Sequence, residues 1–482
     1  MLFNSFKFLI FFPIVTLIYF FIKKDNLKLV WLLICSYFFY ICWNPIFSLL
    51  MLFSTFVTYI FGLLMDKYEK HKKLFLILSL LINLGILFYF KYFSFILDNI
   101  NNLLSLFNIK AINSFDILLP VGISFYTFQA LSYSIDVYRK DVKVERNFIK
   151  YALFVSFFPQ LVAGPIEKSK NFLKQFNLKH IFNYNDVKNG ILTMLGGYVL
   201  KLVIADRAAI VVNQVYNNLT SYTGFPLIIS TFLFAFQIYC DFYAYSLIAK
   251  GSAKILGYKL SDNFNTPYLS KSIKEFWRRW HISLSTWFKE YLYIPLGGSR
   301  VDKLKIVRNI IIVFTVSGLW HGAAWTFIIW GLLHAIYQII GMFTTNIRGK
   351  ICKFLKLDRH KVLHNVIQVI ICFALVDFAW IFFRANNLSD AVYVLKNILN
   401  FTNNFSFANL GLNKSNLILL AISILILIVY ELSIKKVNLI NFINNRNIII
   451  RWIIYFAILY IIIIFGVYGP GYDASQFIYF QF

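Results

Sequence analysis

"SGLWHGAAWTFIIWG", residues 317–331, sets a histidine, His321, in surroundings as apolar as a lipid tail. Apolar runs extend from it both ways, 310–320 before it and 322–343 after it, and the outer flank of each run is basic. Short basic loops stay on the cytoplasmic side of a membrane, so two crossings that meet near His321 satisfy both flanks. That reading decides the fold class: an all-α polytopic membrane protein.

The rest of the chain agrees. Of 482 residues, 59% are hydrophobic and only 14% charged, against about 25% charged in soluble domains, so there is too little polar surface to coat a water-soluble globule. Apolar runs long enough to cross a hydrocarbon core of about 30 Å recur from end to end. The net charge of +26 does not call for nucleic acid. Its Lys and Arg residues lie in short loops between spans, and no nucleic-acid motif accompanies them. Cys35, Cys42, Cys240, Cys352 and Cys372 form no CxxC pair and no metal spacing. The first apolar stretch contains Pro13, is followed by Lys23 and Lys24, and lacks a small-residue cleavage site, which reads as an uncleaved helix.

Alternating basic and uncharged linkers place spans at about 5–22, 28–43, 46–65, 74–97, 117–138, 191–216, 226–249, 310–320, 322–343, 362–383, 416–434 and 452–468. Both ends of the sequence then lie outside. Between them, "YALFVSFFPQLVAGPIEKSK" (151–170) has basic flanks on both sides, and predicts a helix broken at Pro159 and Gly164-Pro165 that re-enters one face, buried in protein. The expectation is twelve crossings plus this element, in a single membrane domain over 1–468 followed by an extracytoplasmic tail, 469–482.

An ionisable residue inside a bilayer is a functional hypothesis by default. For His321 two readings stand: a neutral histidine bonded to a neighbouring helix, or a general base near neutral pH. Gly318 and Gly322 loosen the helix beside it, and His334 follows thirteen residues on. "EFWRRWHISLSTWFKEYLYIPLGGSR" (275–300) interleaves Arg278, Arg279, Lys289 and Arg300 with aromatics that include Trp277 and Trp280. It reads as a segment along the inner surface, either an interfacial anchor or a mouth that grips a polyanionic cofactor through Arg forks, with His281 near the cavity. Asp206 beside Arg207 reads as structural. Asp241 lies between Tyr239 and Tyr243 with no basic neighbour in sequence, and joins Trp320 and Trp325 as a candidate tunnel residue.

"WHGAAWTFIIWGLLHA" and "FWRRWHISLSTWFKEYLYIPLGGSR" resemble the membrane-bound O-acyltransferases, in particular the bacterial branch that acetylates alginate or peptidoglycan and includes the D-alanyl transfer proteins of teichoic acids. "ILLPVGISFYTFQALSYSIDVYR" (117–139), "FFPQLVAGPIEK" (157–168) and "NFNTPYLSKSI" (263–273) look like the same branch, so the likeness is densest over about 117–385. Where relatives tend to read DFSGYSDIA, this chain has "DFYAYSLIA" (241–249), which leaves the acceptor open. The resemblance implies helices around a central tunnel, His321 as catalytic, His281 as the second functional histidine, and a cytosolic acyl donor, acetyl-CoA or an acyl carrier protein, without a metal. The tail "FIYFQF" (477–482) fits an F-x-Y-x-x-F pattern found at the end of a small D-alanylation partner, which implies that Tyr479 accepts the acyl group in transit. A terminal aromatic cluster at the interface is the other reading.

The function the resemblance implies is transfer of acetyl from cytosolic acetyl-CoA to an extracytoplasmic polysaccharide, peptidoglycan first and alginate or another exported glycan second. Arg278, Arg279, Trp277 and Trp280 would hold the donor, an extracytoplasmic esterase-like protein would be the partner, and the site would be the bacterial cytoplasmic membrane. D-alanyl-type transfer is an alternative. A transporter or flippase is the rival of another class, against which stand the missing repeat and the few intramembrane charges.

Overall fold

The computed structural model describes residues 1–113, 117–401, 406–433, 439–469 and 477. Among them the regular structure is entirely helical. Each expected span falls on helical structure, from Phe6–Phe21 to Ile448–Phe465. Among the described residues, eight helices are long and apolar enough to cross a membrane, judged by length and composition. The other expected crossings fall on shorter or interrupted helices. Phe6–Phe21 has 16 residues and so rises roughly 24 Å, short of the ~30 Å hydrocarbon core. Asp25–Ile41 and Ile123–Arg139, with 17 each, are only slightly longer.

The chain forms two compact units. The first takes in Met1–Met194 and Tyr245–Ser261, the second Leu195–Ala244 and most of the chain after Asp262. In the first, the expected broken helix is present. Phe148–Ser156 ends before Phe157, where Pro159 has no N–H to continue a ladder. A turn follows, and Gly164 sits so close to it that a Cβ would stand 2.3 Å from the Gln160 Cα. Residues 151–167 are all buried. Their freed backbone groups are met by side chains: Gln129 Nε2 and Gln160 Nε2 both donate to the Phe154 carbonyl, at 2.5 and 3.0 Å. Glu167 in turn accepts from the Ser261 N–H at 2.5 Å and its hydroxyl at 3.1 Å. Irregular backbone inside an apolar protein survives only with such partners.

In the second unit, helices Lys303–His321 and Trp325–Phe343 form the hairpin that the opening stretch predicts. Glycines set its closeness. A Cβ on Gly318 would lie 2.3 Å from the Phe327 carbonyl oxygen, and one on Gly331 2.3 Å from that of Phe314. Small residues let helix backbones approach where lipid offers no hydrophobic drive to pair them. The segment 275–300 is not one continuous helix: it breaks into Ile273–Arg279 and Ile282–Phe288 around a left-handed His281, then winds into a π-helical turn at Lys289–Tyr293.

Candidate active site

His321 is the last residue of its helix. Behind it, Gly322 lies flat against Phe327, where a Cβ would come within 2.1 Å of the ring. The imidazole is buried, with ring centroids of Trp320 and Trp330 both 5.0 Å away and that of Phe383 at 5.3 Å. Trp320 is thus a neighbour as expected. Trp325 is not: it is 53% exposed at the start of the next helix, and the second indole against His321 is that of Trp330.

The loop 263–269 positions His281. Asn263 accepts from the Ile282 N–H through its carbonyl at 2.9 Å and from the Ser283 hydroxyl through Oδ1 at 2.6 Å, while the Asn265 N–H donates to the Arg279 carbonyl at 2.9 Å. These bonds hold His281 at φ 42°, ψ 56°, a region in which a non-glycine residue is strained and which recurs at functional sites. The His281 ring is fully buried, 4.6 Å from Phe242 and 5.9 Å from Trp320. The two histidines therefore share Trp320 as a common neighbour. Burial pulls the His281 imidazole down from the usual 6.5 to about 3, so it is neutral at physiological pH.

The four residues expected to hold the donor differ in kind. Arg278 is exposed. Arg279 is engaged within its own segment, with Glu275 Oε1 at 2.6 Å and Thr266 Oγ1 at 3.0 Å. Trp280 is buried against Phe264, Tyr268 and Trp380. Trp277 donates its indole N–H to His334 Nδ1 at 3.2 Å.

Asp241 has a basic partner after all. Lys201 Nζ lies 2.7 Å from its carboxylate and 2.8 Å from that of Asp206, with all three side chains buried. Lys201 stands on a π-helical turn, Val199–Ala205, a distortion that frequents functional sites. Arg207, the expected companion of Asp206, instead caps the carbonyls of Val203 and Phe465, each at 2.7 Å. Glu431 also went unread in sequence; it accepts the Tyr239 hydroxyl at 2.5 Å inside the second unit. An isolated Lys or Glu within an apolar run was the available signal. Tyr479 lies outside the described residues.

The model of the MBOAT, membrane-bound O-acyltransferase, family matches residues 141–382, which include Lys201, Asp241, His281, His321 and His334. The chain is 36% identical over 405 residues to a peptidoglycan O-acetyltransferase of Helicobacter pylori, covering 78% of this chain and 75% of the relative. It is also 36% identical over 430 residues to a probable alginate O-acetylase of Pseudomonas aeruginosa, covering 89% and 80%. A teichoic acid D-alanyltransferase of Bacillus subtilis is 29% identical over 281 residues, covering 55% and 68%. With a buried histidine pair at the heart of the matched segment and relatives aligned over most of their length, the chain belongs to the membrane-bound O-acyltransferase family and is a membrane-bound O-acyltransferase.

Proposed function

We propose that the protein takes acetyl groups from cytosolic acetyl-CoA and delivers them to hydroxyls of an extracytoplasmic polysaccharide, with peptidoglycan as the acceptor. The observation that carries this reading is the meeting of His281 and His321 on Trp320 within one buried aromatic cluster. In this reading His321 takes the proton of an incoming hydroxyl as that oxygen attacks the thioester carbonyl carbon. The C–S bond then breaks, and the proton returns to the departing sulfur. His281, neutral through burial, orients the acyl group or the nucleophile. Arg278, exposed beside the cluster, holds donor phosphates, and Arg279 keeps the segment in shape.

The nucleophile in the first step is the Tyr479 hydroxyl, and an extracytoplasmic esterase-like partner carries acetyl onward to the glycan. The chain sits in the bacterial cytoplasmic membrane with both ends outside, on the strength of its basic loops. The Helicobacter relative supports peptidoglycan. Acetylation of an alginate-like exported glycan is the second reading, favoured by the longer alignment with the Pseudomonas relative. D-alanyl transfer has the shorter and less identical alignment behind it.

Purified protein in proteoliposomes, given acetyl-CoA labelled in the acetyl group, is expected to release CoA and to carry the label covalently. His321→Ala should lower the rate by about 10²–10⁴-fold, the contribution of a general base. Uptake of label with no CoA released would mark a transporter, and an active alanine variant would remove His321 from the chemistry.

A further inference from the structure

His334 stands one turn after Trp330 on the helix Trp325–Phe343, and both side chains are fully buried. Residues four apart share a helix face, and the two rings lie 5.1 Å apart. His334 Nδ1 accepts from the Trp277 indole N–H at 3.2 Å. An indole nitrogen only donates, so Nδ1 carries no proton and the neutral ring must carry its hydrogen on Nε2. That Nε2–H finds no hydrogen-bond partner among the described residues, and neither does the Trp330 Nε1–H. Buried donors are satisfied in almost every protein, and leaving one unmet costs stability. Two unmet donors thus sit on neighbouring rings of one helix, and the Trp330 ring lies 5.0 Å from that of His321.

We propose that the His334 Nε2–H and the Trp330 Nε1–H are a donor pair for the carbonyl oxygen of the acyl thioester. The inference rests on the reading of this cluster as the acyl-transfer site. As the hydroxyl oxygen bonds to the carbonyl carbon, the carbonyl electron pair moves onto oxygen, and the two N–H groups meet the charge that develops there. Collapse re-forms the C=O bond and expels the thiol. Donors fixed in a water-poor site are worth most at this moment, because they need no reorganisation. The bond to Trp277 gives His334 its tautomer, and so its role.

Two substitutions separate this role from a structural one. His334→Asn keeps an acceptor for Trp277 at the Nδ1 position and loses the second donor; His334→Gln places an amide N–H at the Nε2 position. Turnover is measured as CoA release by the purified full-length protein given acetyl-CoA. The asparagine variant is expected to lose about 10²-fold in kcat, the usual cost of one such donor, with KM for acetyl-CoA unchanged, and the glutamine variant to regain part of it. Trp330→Phe, which keeps a ring in the core, should lose kcat likewise. An asparagine variant with full turnover, a glutamine variant no better than the asparagine one, or a fully active Trp330→Phe overturns the proposal. If the histidine variants do not fold, Trp330→Phe decides alone. His321→Ala is assayed beside them: activity there defeats the base assignment, while the asparagine–glutamine contrast still reports on the donor pair.

Discussion

Arg278 and Arg279 are neighbours in sequence with opposite circumstances. Arg279 is bound to Glu275 and Thr266, whereas Arg278 reaches outward. Arg278→Gln is therefore expected to raise the apparent KM for acetyl-CoA and leave the melting temperature in detergent unchanged, while Arg279→Gln lowers the melting temperature. Steady-state kinetics with a thermal-shift assay distinguishes the two. His281 gives a pH signature. Its folded value of about 3 lies below the ordinary 6.5, so the unfolded chain binds the extra proton first. The stabilisation is complete above 6.5 and is lost as pH falls from there toward 3. Asparagine tolerates the left-handed backbone and does not titrate. His281→Asn should therefore flatten the fall in melting temperature between pH 7 and pH 5, and an unchanged slope would assign the acid sensitivity elsewhere.

Between helices, glycine decides how near two backbones come. Gly331→Ala would push a methyl against the Phe314 carbonyl, and overpacking of this kind costs typically 1–3 kcal/mol. Gly196 lies in Tyr184–Tyr198 with nothing within 4 Å of where its Cβ would be. Gly196→Ala should stabilise by about 0.5–1 kcal/mol through helix propensity, so melting curves of the two variants should move in opposite directions. The hairpin around His321 was legible because its two apolar runs have basic ends, and the break before Pro159 because proline has no amide hydrogen. Other features were out of reach. Nothing local announces the π turns at Val199–Ala205 and Lys289–Tyr293, and Lys201 meets Asp241 only after the chain has folded. The segment 275–300 read as lying along the inner surface because its arginines and tryptophans suit a membrane surface. In the fold Phe276, Trp280 and His281 turn inward, for which periodicity over so short a stretch offers no cue.

The proposed function asks one protein to serve a donor on one side of a membrane and an acceptor on the other. Tyr479→Phe is the direct test. It removes a single oxygen and keeps the ring, so an aromatic anchor survives it and an acyl acceptor does not. Wall glycan from a strain carrying the variant is expected to lose its alkali-labile acetate, while CoA release by the purified protein falls to the rate of transfer to water. Normal wall acetylation would show that the glycan or its carrier supplies the hydroxyl itself.

The Lys201 triad bears on how such a chain enters a bilayer at all. A lone charged residue near the middle of an inserting helix is disfavoured by about 2.5–3.5 kcal/mol on translocon scales. Lys201 and Asp206 belong to one continuous helical run, 184–216, and their charges lie 2.8 Å apart. They can neutralise each other during synthesis, before the helix that bears Asp241 has been made. The later carboxylate, 2.7 Å from the same ammonium, then finds its counter-ion already in the membrane. Biogenesis thereby acquires an order: the earlier segment must be seated first, and loss of Lys201 would burden the insertion of two helices rather than one.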